Sequence, residues 1–243
     1  MLKPHEDAYG RMIWDYLKER RGYEVDERDD GFVGASLGPA GYFAPYKDWP
    51  PHEKKAARHV KGRVLDVGAG AGRWSLHLQE KGHEVVAIDN SPLAIRTCRE
   101  RGVRDTRVLP FTRVSKALGT FDTILMMGNN FGLFGSRKRA RWLLPRLRGI
   151  TSETARIVAE SNDPYGTRNP THHAYHRLNR KRGRMAGQIR LRVRYDTLKT
   201  PWFDYLLVSK REMEQIVAGT GWRVDRFIDS ESSVYVAVIE KEA

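Results

Sequence analysis

The chain has 243 residues, 43 Lys and Arg against 30 Asp and Glu, a formal charge of +13 and a single cysteine, Cys98. That length accommodates one large α/β domain with a small insertion, and one cysteine excludes an internal disulfide framework and any multi-cysteine metal site. No apolar run is long enough to span a membrane, and the first residues lack the apolar core of a secretory signal, so a cytoplasmic protein is expected.

Along the chain, residues 5–21 show helical spacing of Met12, Ile13, Tyr16 and Leu17. Residues 24–44 are rich in glycine and acids and are expected to be irregular. The aromatic stretch 42–51, with Tyr42, Tyr46 and Trp49 among three prolines and charged residues, cannot form one regular helix. A helix is expected over 52–60. Strands and helices then alternate: strand 63–67, helix 73–81, strand 84–88, helix 92–101, a strand at 106–109 and another at 121–127. Ser91, Pro92 and Gly102 mark the ends of the 92–101 helix. A helix over 137–148 and a strand at 156–160 complete this run, and the alternation implies parallel βαβ units.

The pattern breaks after Asn162. Residues 188–195 alternate strictly, with Ile189, Leu191, Val193 and Tyr195 on one face and Arg190, Arg192 and Arg194 on the other. Residues 202–208 form a second candidate strand, so the two read as an inserted antiparallel hairpin. A helix over 210–218 and strands at 222–228 and 234–240 close the chain.

One constellation carries chemistry. The strand 63–67 contains Asp66 and runs into Gly68-Ala69-Gly70-Ala71-Gly72, and the next strand ends in Asp89. Glycines let backbone turn tightly and approach a ligand. The helix beginning at Arg73 offers free N–H groups to an anionic group. An acid ending the second strand accepts ribose hydroxyls. A glycine-rich strand–loop–helix also occurs in nicotinamide and flavin enzymes, but their G-x-G-x-x-G pattern needs a glycine where Arg73 stands.

This constellation, and the run of elements from Arg63 to Glu240, resembles the class I S-adenosylmethionine-dependent methyltransferases. The resemblance implies a Rossmann-like seven-stranded, mostly parallel sheet whose last strand is antiparallel. It implies a helical and aromatic cap over 1–60 and a methyltransferase domain over 61–243, with an insertion at about 164–208 over the active site. S-adenosylmethionine is the implied cofactor. Position by position, Asp66 would anchor the loop, Gly68, Ala69, Gly70 and Gly72 would line the methionine part, and Asp89 would bind the ribose. Asn90 and Ser91 would lie by the adenosine, and Pro110 and Phe111 against the adenine. The chain departs from the family in lacking an acid after the third strand; Leu109-Pro110-Phe111-Thr112 offers none.

Met127-Gly128-Asn129, after the fourth strand, would face the sulfonium end. The Gly-Asn pair resembles small-molecule N-methyltransferases of the glycine N-methyltransferase type, and the prolines of the base-amine-modifying tetrapeptide are missing from Gly128-Asn129-Asn130-Phe131. A plain turn is the alternative for these asparagines.

Methyl transfer from a sulfonium needs alignment more than acid–base chemistry, and no convincing dyad appears. Tyr42, Tyr46, Asn130, His172, His173 and Tyr205 are the candidates for acceptor contact, Tyr42 and Tyr46 through attraction of a cation to their rings. His172, His173 and His176 lack an accompanying carboxylate or cysteine, so no metal site is expected, and an exposed loop is the plainest reading for them. A small-molecule nitrogen or oxygen acceptor is the first reading. RNA is the second, through the basic surfaces 137–148 and 177–194, where the arginine face of Arg190, Arg192 and Arg194 could track phosphates. A non-catalytic RNA-binding protein on the same fold is the third.

Overall fold

The computed structural model describes residues 1–35 and 38–242 and divides into two compact units. The first unit comprises Met1–Trp49, Arg63–Val114 and Leu191–Phe203; the second comprises Pro50–Gly62, Ser115–Arg190 and the chain from Asp204. The expected 1–60 cap is therefore shared out, 1–49 to the first unit and 50–60 to the second.

In chain order the elements are α1 (Ala8–Glu19), β1 (Val25–Arg28), β2 (Val33–Ala35), α2 (Ala40–Phe43), α3 (Pro51–Ala57), β3 (Val64–Val67), α4 (Arg73–Glu80) and β4 (Val85–Asp89). There follow α5 (Pro92–Glu100), β5 (Asp105–Val108), β6 (Phe121–Met126), α6 (Arg137–Arg148), β7 (Thr151–Asn162) and α7 (Pro170–Lys181). The chain continues with β8 (Gln188–Tyr195), β9 (Leu198–Lys199), β10 (Phe203–Leu206), α8 (Lys210–Val217), β11 (Trp222–Asp229) and β12 (Val234–Lys241).

Seven strands take the order β11-β12-β7-β6-β3-β4-β5. The pairs β3/β4, β4/β5 and β6/β7 are parallel, while β12 is antiparallel to both β11 and β7. This is the expected α/β sheet with its one reversed strand. β3 and β4 are buried at every position, as parallel strands covered on both faces must be, which is why they are apolar apart from one acid each, Asp66 within β3 and Asp89 at the end of β4.

One expectation fails and another is extended, for one reason. Residues 24–44 are not irregular throughout: they hold β1 and β2, a paired antiparallel ribbon, and the short helix α2. β1 reads Val-Asp-Glu-Arg, with no apolar alternation to reveal it. Its pairing is tertiary: β1 runs antiparallel to β8, with Glu27 opposite Arg192. The arginine donates to both Glu27 carboxylate oxygens at 2.9 and 2.8 Å. The expected two-stranded insertion is thus part of a five-stranded antiparallel sheet ordered β10-β8-β1-β2, with β9 also on β8.

α1 is fastened to α5 by shared caps. Asp7 accepts from Gly10 N at 3.1 Å and, with its other oxygen, from Leu93 N at 3.0 Å. Ser91 caps α5 as expected, accepting from Ala94 N at 2.9 Å. A Cβ on Gly10 would overlap Ser91 Oγ and lie 2.5 Å from Asp7 Oδ1. Glycine to alanine inside an exposed helix normally gains about 1 kcal/mol. Here the overlap reverses the sign, and Gly10→Ala should destabilise by about 2–4 kcal/mol through overpacking and the loss of two caps. Urea denaturation checks this, and an unchanged or raised midpoint would contradict the packing described.

Candidate functional site

In the first unit the ends of β3 and β4 meet as the sequence requires. Gly68, Gly70 and Gly72 all have positive φ, at +73°, +57° and +75°, a region costly for residues with a Cβ. Asp89 is buried beside this bend. One of its oxygens accepts from Gly70 N at 3.1 Å and the other from Ser91 N at 2.9 Å. An ionised carboxylate has about four acceptor positions, so capacity for a diol remains.

Asp66 accepts from Ser75 Oγ at 2.6 Å, which ties the loop to α4. Burial pushes both carboxyls up to about 6. The Ser75 hydroxyl opposes this at Asp66, and the Ser91 and Gly70 N–H groups oppose it at Asp89.

The glycines divide their work. Gly68 N and Ala69 N both donate to Ile88 O, and Gly72 N donates to Ala69 O. These loop N–H groups hold the bend. A Cβ on Gly72 would lie 2.8 Å from Val103 Cγ2 and 3.1 Å from Cys98 Sγ, so this glycine lets the bend pack on α5. Cys98 is fully buried and its thiol lies 3.2 Å from Gly70 O, a packing position, with burial pushing its pKa well up. Leu109 N donates to Asp89 O at 2.8 Å, which brings Pro110 and the mostly buried Phe111 to the Asp89 edge. Asn90, next to Asp89, is exposed, and its carbonyl accepts from Leu2 N at 3.0 Å.

Tyr9 is the residue that sequence reasoning missed here. A Cβ on Gly70 would stand 3.0 Å from its hydroxyl, and its ring meets Tyr42 edge-on at 5.5 Å. Burial and the neighbouring Tyr42 hold its phenol well above the usual range. The signal existed, since Tyr9 precedes Met12 and Ile13 on the apolar face of α1. Tyr42 also approaches Glu24, with its hydroxyl 3.4 Å from Oε1. Tyr46 instead stacks flat on His77 of α4 at 4.0 Å, and Trp49 is buried against Trp74 at 4.2 Å.

In the second unit, Gly128 and Asn129 follow β6 with φ of +72° and +62°. Asn129 is gripped at both backbone polar groups. Its N–H donates to Glu160 Oε1 at 2.8 Å, and its carbonyl accepts from Tyr205 Oη at 2.6 Å. Its side-chain Oδ1 is buried and has no hydrogen-bond partner. Gly132 makes room for Tyr205, whose ring a Cβ there would overlap. Asn130 opens the 3-10 turn that ends at Phe134, and Met127 is buried. Glu160 was missed: it looked like the end of an apolar strand, yet it is 4% exposed and lies 3.7 Å from His52.

The three histidines do not lie in a loop. They are on α7, with Asn169 as N-cap and Pro170 in the first turn. His172 Nδ1 lies 3.1 Å from Thr167 Oγ1, His176 is buried, and the rings of His173 and His176 meet edge-on at 6.1 Å. The Asn-Pro pair was the available start signal.

Residues 64–148 match the family described as a methyltransferase domain. A methyltransferase from Bacteroides fragilis, solved in complex with S-adenosyl-L-homocysteine, superposes with a TM-score of 0.85 at 26% identity, over 100% of this chain and 98% of that one. A ubiquinone biosynthesis O-methyltransferase of Methylocella silvestris is 34% identical over 83 residues, 32% of each chain. A glycine/sarcosine N-methyltransferase of Halorhodospira halochloris is 28% identical over 107 residues, 41% of this chain and 40% of that one. The chain thus matches about a third to two-fifths of the length of these curated relatives. Among the described residues no helix is long and apolar enough to cross a membrane. With the strand order, the glycine bend and the Asp89 carboxylate in place, the chain carries a methyltransferase domain over 64–148 and has the fold of an S-adenosylmethionine-dependent methyltransferase.

Proposed function

We propose that this protein binds S-adenosylmethionine along the Gly68–Gly72 bend and transfers its methyl group to a nitrogen or oxygen of a small-molecule acceptor. The observation that carries the reading is the Asp89 carboxylate, fixed by two backbone N–H groups beside three positive-φ glycines. Its remaining acceptor positions suit the two ribose hydroxyls, and the side-chain-free backbone at Gly70 suits close approach of the nucleoside. Asp66 keeps the bend attached to α4, and Tyr9 closes against Gly70.

The cofactor brings an activated methyl group on a sulfonium, so the protein's work is to orient and to exclude water. We assign Asn129, held by Glu160 and Tyr205, to the reacting end, as the family resemblance implies. A small acceptor is favoured by the names of the curated relatives, one acting in ubiquinone biosynthesis and one on glycine and sarcosine. Acceptor recognition is assigned to the segments outside the strand–helix core, 1–60 and about 164–208.

The RNA reading loses its clearest support. Arg192 and Arg194 face Glu27, Arg190 faces Asp204 at 3.4 Å, and Arg192 also lies over the Trp202 ring at 4.6 Å. An arginine face already matched to carboxylates is a poor phosphate track.

Incubation with methyl-labelled S-adenosylmethionine, a metabolite extract and total RNA tests the proposal. Label should appear in the small-molecule fraction. Label in RNA would overturn the acceptor class, and a thermal shift with NADH but none with S-adenosylmethionine would overturn the cofactor.

A further inference from the structure

His52, Glu53 and Glu160 form a buried cluster in the second unit, of which Glu160 also bonds Asn129. His52 and Glu53 lie in the first turn of α3, and Glu160 lies near the end of β7. The three residues are 9%, 6% and 4% exposed. One ligand-capable atom from each lies within 4.8 Å of the others. Glu160 Oε1 is committed to Asn129 N–H, whereas Oε2 makes no hydrogen bond and points at His52 Nε2 from 3.7 Å.

The buried Glu160 Oε2, which makes no hydrogen bond, lies beside an imidazole and calls for positive charge, because an uncompensated buried carboxylate oxygen is costly. A shared proton is one source. It would draw nitrogen and oxygen together to about 2.7–2.9 Å, the charge-assisted hydrogen-bond distance. The observed 3.7 Å is longer. It lies close to the roughly 3.3–3.5 Å between ligand atoms that share a tetrahedral ion at bond lengths of about 2.0–2.2 Å.

We propose that His52, Glu53 and Glu160 bind one divalent transition-metal ion. One imidazole and two carboxylates suit zinc, manganese, iron(II) or cobalt better than calcium or magnesium, which favour oxygen ligands alone. The bond from Asn129 N–H to Glu160 Oε1 is the outer contact that orients this ligand. Metal uptake therefore stiffens the Gly128–Asn129 turn. In the sequence, only the histidines of 172–176 stand close enough together to suggest a metal. These ligands come from two segments far apart in the chain.

The test uses the full chain, stripped with a chelator, incubated separately with Zn²⁺, Mn²⁺ and Co²⁺, desalted and assayed for metal. Wild-type protein should retain about one ion per chain of at least one metal. With Co²⁺ it should show a visible ligand-field band that indicates bound nitrogen and oxygen ligands. Glu160→Gln and Glu53→Gln should each cut retention at least about tenfold. Far-ultraviolet circular dichroism reports whether each variant is folded, and if neither folds, the wild-type Co²⁺ band decides. Wild-type protein that retains no ion of the three overturns the proposal and leaves a proton-linked pair. Full retention in both folded variants overturns it as well. The readout is independent of methyl transfer, so it stands or falls apart from the cofactor reading.

Discussion

Asp89→Ala should weaken S-adenosylmethionine binding by about two to three orders of magnitude, read by calorimetry or by loss of the thermal shift. Hydrogen bonds to a charged group contribute about 1.5–3 kcal/mol each, and the proposed diol uses two of them. The substitution also leaves Gly70 N and Ser91 N without the carboxylate they donate to, so part of the loss is a loosened bend. Asp89→Asn separates the two effects, since its amide oxygen keeps one acceptor while the charge is gone.

The pH response gives a sharper test. Burial raises the Asp89 carboxyl to about 6 in the free protein. Hydroxyl donors favour the ionised form, so affinity should be full above that value and fall about tenfold per pH unit below it. Stability of the free protein moves the other way. A carboxyl raised above the ordinary value of about 3.9 holds its proton longer folded than unfolded, so its burial cost is present above about pH 6 and fades as pH falls toward 4. Asp66, raised to a similar value, contributes in the same direction. The stability difference between Asp89→Asn and wild type should therefore shrink from pH 7 to pH 5 while wild-type affinity drops. If affinity is flat over that range, Asp89 does not hold the ribose.

Gly72→Ala should be the most damaging single methyl added to the bend, lowering stability by about 2–5 kcal/mol. The φ of +75° costs a residue with a Cβ about 1–2 kcal/mol. The contacts waiting at 2.8 Å from Val103 and 3.1 Å from Cys98 add about 1–3 kcal/mol of overpacking. For a chain of this size the melting temperature should fall by roughly 4–20 °C. Pairing it with Val103→Ala should relieve the overpacking and leave the backbone cost, so the double variant should be more stable than the sum of the single losses predicts. Strict additivity would show that the methyl does not meet Val103.

The second half of the chain shows where reading by pattern stops. α6, α8, β11 and β12 fall within a residue or so of expectation, because each buries a face with helical or strand periodicity. β7 extends from Thr151, well before the expected 156, through Ser152, Glu153 and Thr154, polar residues that carry no apolar alternation. The α7 histidines were read as loop because the stretch is polar, although Asn169 and Pro170 marked a helix start.

By itself the sequence determined the parallel core, the glycine bend and the acid at its edge. Those features are local: buried parallel strands are mostly apolar, and the positive-φ positions of a tight bend favour residues without a Cβ. Tertiary structure alone decided that Asp-Glu-Arg would form a strand, that Tyr9 would stand over Gly70 and that His52 would meet Glu160. Each depends on a partner distant in the chain, and a charged or polar residue reveals its pairing only when the fold brings that partner within a few ångströms.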